Sequence, residues 1–176
     1  MVNRIFVIAV VIIGLAAAGV GQAPCTRYVA AAFSMCQPAG WAVDADDGSA
    51  FKSLSGKNSG GKNANVNFTE ADNDANLSDF VDEANKYTLE HYVEAGLSSI
   101  KFVGRTAVVT DSSEKGFKST FLEEAQGHKL FGAQYVFSDG KKKLFVTFTS
   151  LDPQADADER LFDATIKTLV IGPAAH

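Results

Sequence analysis

Cysteine, histidine and tryptophan are scarce in this chain, with two, three and one among 176 residues. Each scarcity removes a class of chemistry. Cys25 and Cys36 are not spaced as Cys-x-x-Cys, so a thioredoxin-like redox site is not expected. His91, His128 and His176 show no metal-ligand spacing, which argues against structural zinc. Basic residues are outnumbered, 16 Lys and Arg against 21 Asp and Glu, for a net charge of −5. That balance argues against nucleic acid and anionic membrane surfaces as main partners. No serine has a Gly-x-Ser-x-Gly setting, and no nucleophile–base pair can be named.

Weaker motifs fall on inspection. Asp44-x-Asp46-Asp47-Gly48 resembles the start of a calcium loop, but Ser55 stands where the loop needs glutamate. Ser59-Gly60-Gly61-Lys62 suggests a phosphate cradle, yet it lacks the Walker pattern and joins two strands with no helix behind it. Asp156-x-Asp158-Glu159 is explained as acid at a helix N-terminus. Catalytic residues, cofactors and metals are therefore expected to be none.

One long apolar run is present. Arg4 precedes Ile5 to Gly19, a length that suits a secretory h-region and is short for a spanning helix. Small-x-small sites follow at Ala16-x-Ala18 and Gly21-x-Ala23. Residues 1–23 are thus read as a signal peptide and 24–176 as a single domain, periplasmic or secreted. Association with a membrane is expected only if the leader stays uncleaved or Cys25 is lipidated, and Pro24 makes a poor lipobox. In an oxidising compartment Cys25 and Cys36 are a candidate disulfide. Were Tyr28 to Cys36 one straight strand, the cysteines would stand about 30 Å apart. A bond therefore requires a turn near Ala30 to Ala32.

The stretch from Phe131 to Ser150 organises the rest. It reads as two strands around Asp139-Gly140, a dipeptide favoured in tight turns. A two-residue loop there pairs Tyr135 with Leu144 and Ala133 with Val146; a four-residue loop shifts these pairs by two. Either register puts Phe131, Ala133, Tyr135, Phe137, Leu144, Val146 and Phe148 on one apolar face. Gln134, Val136, Lys143, Phe145, Thr147 and Thr149 share the other, mixed face. So apolar a surface needs a second layer.

Elsewhere, strands are read at Tyr28 to Cys36, Ala50 to Leu54, Ala64 to Thr69, Lys101 to Thr110 and Phe117 to Glu124. Ser55 to Lys62 is expected to be a flexible loop. A helix opens near Asn76 or Ser78, carries Leu77, Phe80, Val81, Ala84, Tyr87, Thr88, His91 and Ala95 on one stripe, and ends at Gly96. A last helix, Asp156 to Leu169, turns Leu161, Phe162, Thr165, Ile166 and Leu169 inward after Asp152-Pro153. The fold class is α+β, an antiparallel sheet flanked by helices in an α-β-α sandwich. Trp41 either folds over the sheet edge or stands exposed as a recognition aromatic. Lys141, Lys142 and Lys143 are expected to run into solvent at the hairpin tip, either guarding the sheet or touching a partner.

Several stretches together carry a resemblance. Phe33-Ser-Met-Cys-Gln-Pro-Ala-Gly-Trp41 is followed by Ala64-Asn-Val-Asn-Phe68. The helix opening Asn76-Leu-Ser-Asp-Phe80, the hairpin Gln134 to Ser150 and the final helix complete the pattern. It resembles the PsbP-like superfamily, which includes the Mog-type Ran-binding proteins, and within it the bacterial DcrB-like envelope proteins. The resemblance covers about Phe33 to Ile171 and implies a non-enzymatic binding or assembly module that meets an envelope protein. Partner-contact candidates are Trp41, Lys141, Lys142 and Lys143, and the protein is expected to be a monomer. The alternative function is a carrier of a small apolar ligand, held between a helix and the aromatic-rich sheet face.

Overall fold

Alternation of aromatic or β-branched residues with polar ones puts most of the chain into strands. The computed structural model describes residues 25–44, 52–58, 60–151 and 155–172. The expected leader (1–23), Asp46-Asp47-Gly48, Ser59, Asp152-Pro153 and His176 lie outside the described residues. The order is β1 (Arg27–Val29), β2 (Phe33–Cys36), β3 (Ala42–Val43), β4 (Lys52–Lys57), β5 (Asn63–Asp72) and α1 (Leu77–His91). There follow β6 (Ser99–Val109), β7 (Lys115–Ala125), β8 (His128–Asp139), β9 (Lys142–Leu151), α2 (Ala155–Lys167) and β10 (Val170–Ile171). A seven-stranded antiparallel sheet runs β3-β4-β5-β9-β8-β7-β6, and a small sheet runs β1-β2-β10.

The central hairpin adopts the shifted register. Tyr135 pairs with Val146, Ala133 with Phe148 and Phe137 with Leu144. The turn is Gly140-Lys141, one residue later than Asp139-Gly140, with Gly140 at φ +62°. Because the slip is an even number of positions, the apolar face is conserved, and all seven residues assigned to it belong to the core.

That face is closed by two elements. α2 lays Phe162 against Phe148, rings stacked at 4.4 Å, with Phe131 stacked beyond at 6.3 Å. The small sheet adds Tyr28 and Phe33, each 4.9 Å from the Phe68 ring of β5. Burying each such ring contributes roughly 2–3 kcal/mol. α1 lies on the opposite, mixed face, where Phe80 meets Phe145 at 5.4 Å. The two helices thus flank the sheet, as the α+β sandwich reading requires. Asn76 caps α1 by accepting from the Ser78 amide at 2.8 Å, and Gly96 lies at φ +79° beyond the helix end.

The segment read as one strand, Tyr28 to Cys36, is two. Ala30 N–H donates to Phe33 C=O at 2.9 Å, and the chain doubles back to pair Arg27 with Cys36. The turn brings the Cα atoms of Cys25 and Cys36 to 5.6 Å, and the disulfide forms. A Cys25 sulfur held in that bond is not free for lipidation.

Of the flexible loop that the Gly, Ser and Asn content of Ser55 to Lys62 suggests, the described residues are tied into the fold. Ser55 to Lys57 continue β4, and Asn58 is buried. Asn58 Oδ1 accepts from the Gly60 and Lys62 amides at 3.0 and 2.8 Å, while its Nδ2 donates to Asp158 at 2.9 Å. The described amides of that stretch, those of Gly60, Gly61 and Lys62, are already taken. Asp158 lies in the first turn of α2 as expected, yet it is fully buried and also accepts from Ser150 Oγ at 2.7 Å. On the same face Lys118 Nζ donates to Glu159 and Asp163 at 2.7 and 2.9 Å, and Tyr135 donates to Asp163 at 2.7 Å. Burial alone would lower the Lys118 pKa; the hydrogen bonds it donates to the two carboxylates, with their charge, outweigh it and raise it. Burial, then the bond to Asp163, pushes the Tyr135 phenol well above its ordinary value. Both contacts pin α2 to the sheet.

Candidate functional site

The partner-contact candidates divide by exposure. Trp41 is buried, its Nε1 donating to Lys57 C=O at 3.2 Å and its ring edge-on to Phe148 at 6.5 Å. The ring lies flat on Gly56, where a Cβ would come within 2.5 Å of it. It folds over the sheet as one reading held. Lys143 is buried as well, contrary to the expectation of a tip wholly in solvent. Strand parity turns it toward α1, where its ammonium donates to the Asn73 and Gly140 carbonyls at 2.8 and 3.1 Å. Lys142 pairs with Glu70 at 3.4 Å, and Lys141 is exposed. The four candidates therefore do not form one surface.

What the topology does assemble is the mixed face of the sheet, of which α1 covers only part. One row crosses it as Ser53, Asn67, Thr147, Gln134, Ser119 and Arg105 on β4, β5, β9, β8, β7 and β6. α1 closes the right-hand end of this row. Asn85 Nδ2 donates to Ser119 at 3.0 Å, and Arg105 binds Asp82 and donates to Ser78 Oγ at 2.9 Å while stacking on Phe117. Among the described residues no helix covers the left-hand end. Beside it runs a second row, Ser55, Asn65 and Thr149.

The result is a trough whose floor beyond α1, from Ser53 to Gln134, is uncharged and hydrogen-bonding. At one end is a cleft of about 620 Å³ lined by Ser55, Lys57, Asn63, Asn65, Thr149 and Leu151, among others. At the other, α1 and the sheet flank an open groove of about 520 Å³ between Ala84, Tyr87, Thr88, Gln134 and Phe145. Gln134 Nε2 donates to Thr147 at 3.3 Å, while Asn67 and Thr149 make no side-chain hydrogen bond among the described residues. Asp44 forms one rim and accepts from Ser53 at 2.5 Å and from Ser55.

The inward stripe expected of α1 holds for its first turns and fails in its last. Val81 is buried, but Tyr87 is 63% exposed and stacks on His91 at 4.0 Å. His91 Nδ1 contacts the Tyr87 carbonyl at 2.9 Å, a satisfied boundary histidine. His128 is exposed at the start of β8. Sequence reasoning missed the trough because no single motif marks it. The usable signal was the Asn65/Asn67 alternation, which put polar residues on one face of a central strand.

The space that an apolar-ligand carrier would need is occupied on the α2 side by the stacked rings of Phe131, Phe148 and Phe162. On the α1 side the cleft is open, and Glu83, Lys86 and Glu90 stand along it.

With this geometry in view, the likeness to solved structures is plain. CyanoP, the cyanobacterial PsbP of Synechocystis sp. PCC 6803, superposes with TM-score 0.60 over 87% of this chain and 95% of its own, at 16% identity. The Ran-binding protein Mog1p of Saccharomyces cerevisiae gives 0.58 over 84% and 96%, at 8% identity. This chain has the PsbP/Mog1 fold. LpqN of Mycobacterium tuberculosis, described as involved in cell envelope biogenesis, gives 0.55 over 87% and 88%, at 14% identity. No family model matches the sequence, and no curated protein does. At these identities the PsbP/Mog1 likeness is one of fold.

Proposed function

We propose that this protein is an exported, non-enzymatic binding or assembly module of the bacterial cell envelope, acting through protein–protein contacts. The observation that carries this reading is the open edge of the large sheet. β6 is an outermost strand of eleven residues, and Val103 and Val109 on it are 51% and 58% exposed. An irregularity between Phe102 and Gly104 splits the edge and leaves Gly104 to Val109 as a regular segment. Such an edge offers backbone hydrogen bonds to an extended segment of a partner, with alternate side chains giving specificity.

Two further points support the envelope setting. The Cys25–Cys36 disulfide fits an oxidising compartment. Among proteins of this fold, Mog1p is named as Ran-binding and LpqN as involved in envelope biogenesis. Affinity with the DcrB-like envelope proteins belongs to the same proposal and rests on the motifs quoted above. Among the described residues no helix is long and apolar enough to cross a membrane.

Two measurements test the reading. A non-reducing intact mass of protein from the envelope fraction should show a start near residues 19–24 and a deficit of about two daltons for the bond. A full-length or lipid-bearing mass would refute soluble export. Photo-crosslinkers at Val103 and Val109 should capture the same partner, and Ala107→Pro should abolish capture while the fold persists. Capture that survives Ala107→Pro, or that occurs equally from Lys141, would refute the edge as the contact.

A further inference from the structure

We propose that the trough on the mixed sheet face binds a neutral, hydroxyl-rich glycan. This goes beyond the edge-contact reading and uses a different surface. Amides and hydroxyls on the floor can each donate and accept, which is what vicinal sugar hydroxyls require. The backbone groups of β5 and β9 are spent in ladders on both sides, so an added protein strand has nothing to pair with on the floor of the trough.

Charge narrows the ligand further. Ser53, Ser55, Asn65, Asn67, Thr147, Thr149 and Gln134 carry no charge; of the nearby cations Arg105 is paired with Asp82 and Lys86 with Glu90 at 3.8 Å, and Lys57 at the cleft wall donates to the Asn63 amide at 2.5 Å. Asp44 at one rim and Glu83 at the other repel anions. An apolar ligand would strip water from Ser53, Asn67 and Thr149 without replacing its hydrogen bonds, which costs free energy.

Two details fit a sugar specifically. A pyranose also has an apolar C–H face, and Tyr87 offers it an exposed ring, steadied by the His91 stack, beside Gln134 and Phe145. Asn65 lines the larger cleft, and its Oδ1 is buried without a hydrogen-bond partner. Turning that amide toward the cleft would exchange a lone acceptor for a bond to a ligand hydroxyl. Both clefts lie within the roughly 300–1,000 Å³ usual for small-ligand sites.

The test is a titration of isotope-labelled protein, followed by NMR, with maltotetraose, cellotetraose and chitotetraose, and with a sulfated tetrasaccharide as the charged control. At least one neutral tetrasaccharide should move the side-chain amides of Asn65, Asn67 and Gln134. Tyr87→Ala and Asn67→Ala should each weaken its Kd about tenfold, as loss of one good contact does. Both sites are exposed or half-buried, so the variants should melt with the parent. The proposal is overturned if no neutral sugar shifts these resonances at about 10 mM, a concentration that would reveal even millimolar binding. It also fails if the shifts fall outside the trough, if the folded variants bind like the parent, or if the sulfated control binds more tightly.

Discussion

The two faces of the large sheet are made by the same strands and finished in opposite ways. On the α2 face Phe131, Ala133, Tyr135, Phe137, Leu144, Val146 and Phe148 are all buried, and the few polar groups beside them are tied down. Asp158 is held by Asn58 and Ser150, and Lys118 by Glu159 and Asp163. On the α1 face the rows are mixed, α1 buries only Val81, and the acceptors of Asn65 and Asn85 are covered but unmatched. Strand alternation allows this division because neighbouring residues answer to different surroundings. Stability is concentrated on the face that is sealed, which leaves the other free to carry polar groups for a ligand.

The largest test of that contrast is a ring deletion on each side. Phe162→Ala removes the ring stacked between Phe148 and Phe131 and should cost about 3–5 kcal/mol. Phe145→Ala, on a half-buried ring of the α1 face, should cost about 1–2 kcal/mol, in keeping with its partial burial. Urea unfolding of the two variants measures the difference. Equal losses would mean that the α1 face is as firmly packed as the other.

A polar deletion probes the same division at smaller scale. Asp158→Ala strands the Asn58 amide and the Ser150 hydroxyl in the interior and should cost about 2–3 kcal/mol, with Asp158→Asn recovering part of it. Asn85→Ala loses one bond to Ser119 and removes an unmatched acceptor. Its cost should stay under about 1 kcal/mol. Thermal melts of the three variants rank them, and an Asn85 effect as large as that of Asp158 would break the comparison.

How far the sequence discloses this architecture depends on the kind of order involved. The parity of Phe131, Ala133, Tyr135 and Phe137 names the sealed face without any knowledge of register, because an even slip cannot change it. The cysteine spacing likewise makes a turn near Ala30 to Ala32 the condition for a Cys25–Cys36 bond, and the structure meets it. Asp158 escapes notice because acid at a helix N-terminus already has a sufficient explanation in the dipole. Yet it stands four residues before Phe162 and eight before Ile166, on the inward stripe. Lys143 has the same history: three lysines at a hairpin tip read as solvent, but parity sends the third inward. The trough is the least legible feature. It exists because α1 covers Ser119 and Arg105 and stops short of the half-buried Ser53 and Asn67, and where a helix crosses a sheet is a tertiary fact with no local signature.

The smallest effect runs in the opposite direction. Glu123 lies on the α1 face, paired in the ladder with Leu130, and burial alone raises its pKa above the ordinary 4.5. A raised folded-state pKa means that the folded protein holds the proton more tightly than the unfolded chain. The contribution to stability is then fully present below the ordinary carboxylate value and is lost as pH rises through the raised folded value. At neutral pH the ionised, half-buried carboxylate is a small burden. Glu123→Gln should therefore raise stability at pH 7 by a few tenths of a kcal/mol, about 0.5 at most, and make no difference near pH 3. Melting curves of both proteins across that range test it. A variant less stable at pH 7 would reveal that Glu123 has a compensating partner, and the face beneath α1 would then be as carefully matched as the face beneath α2.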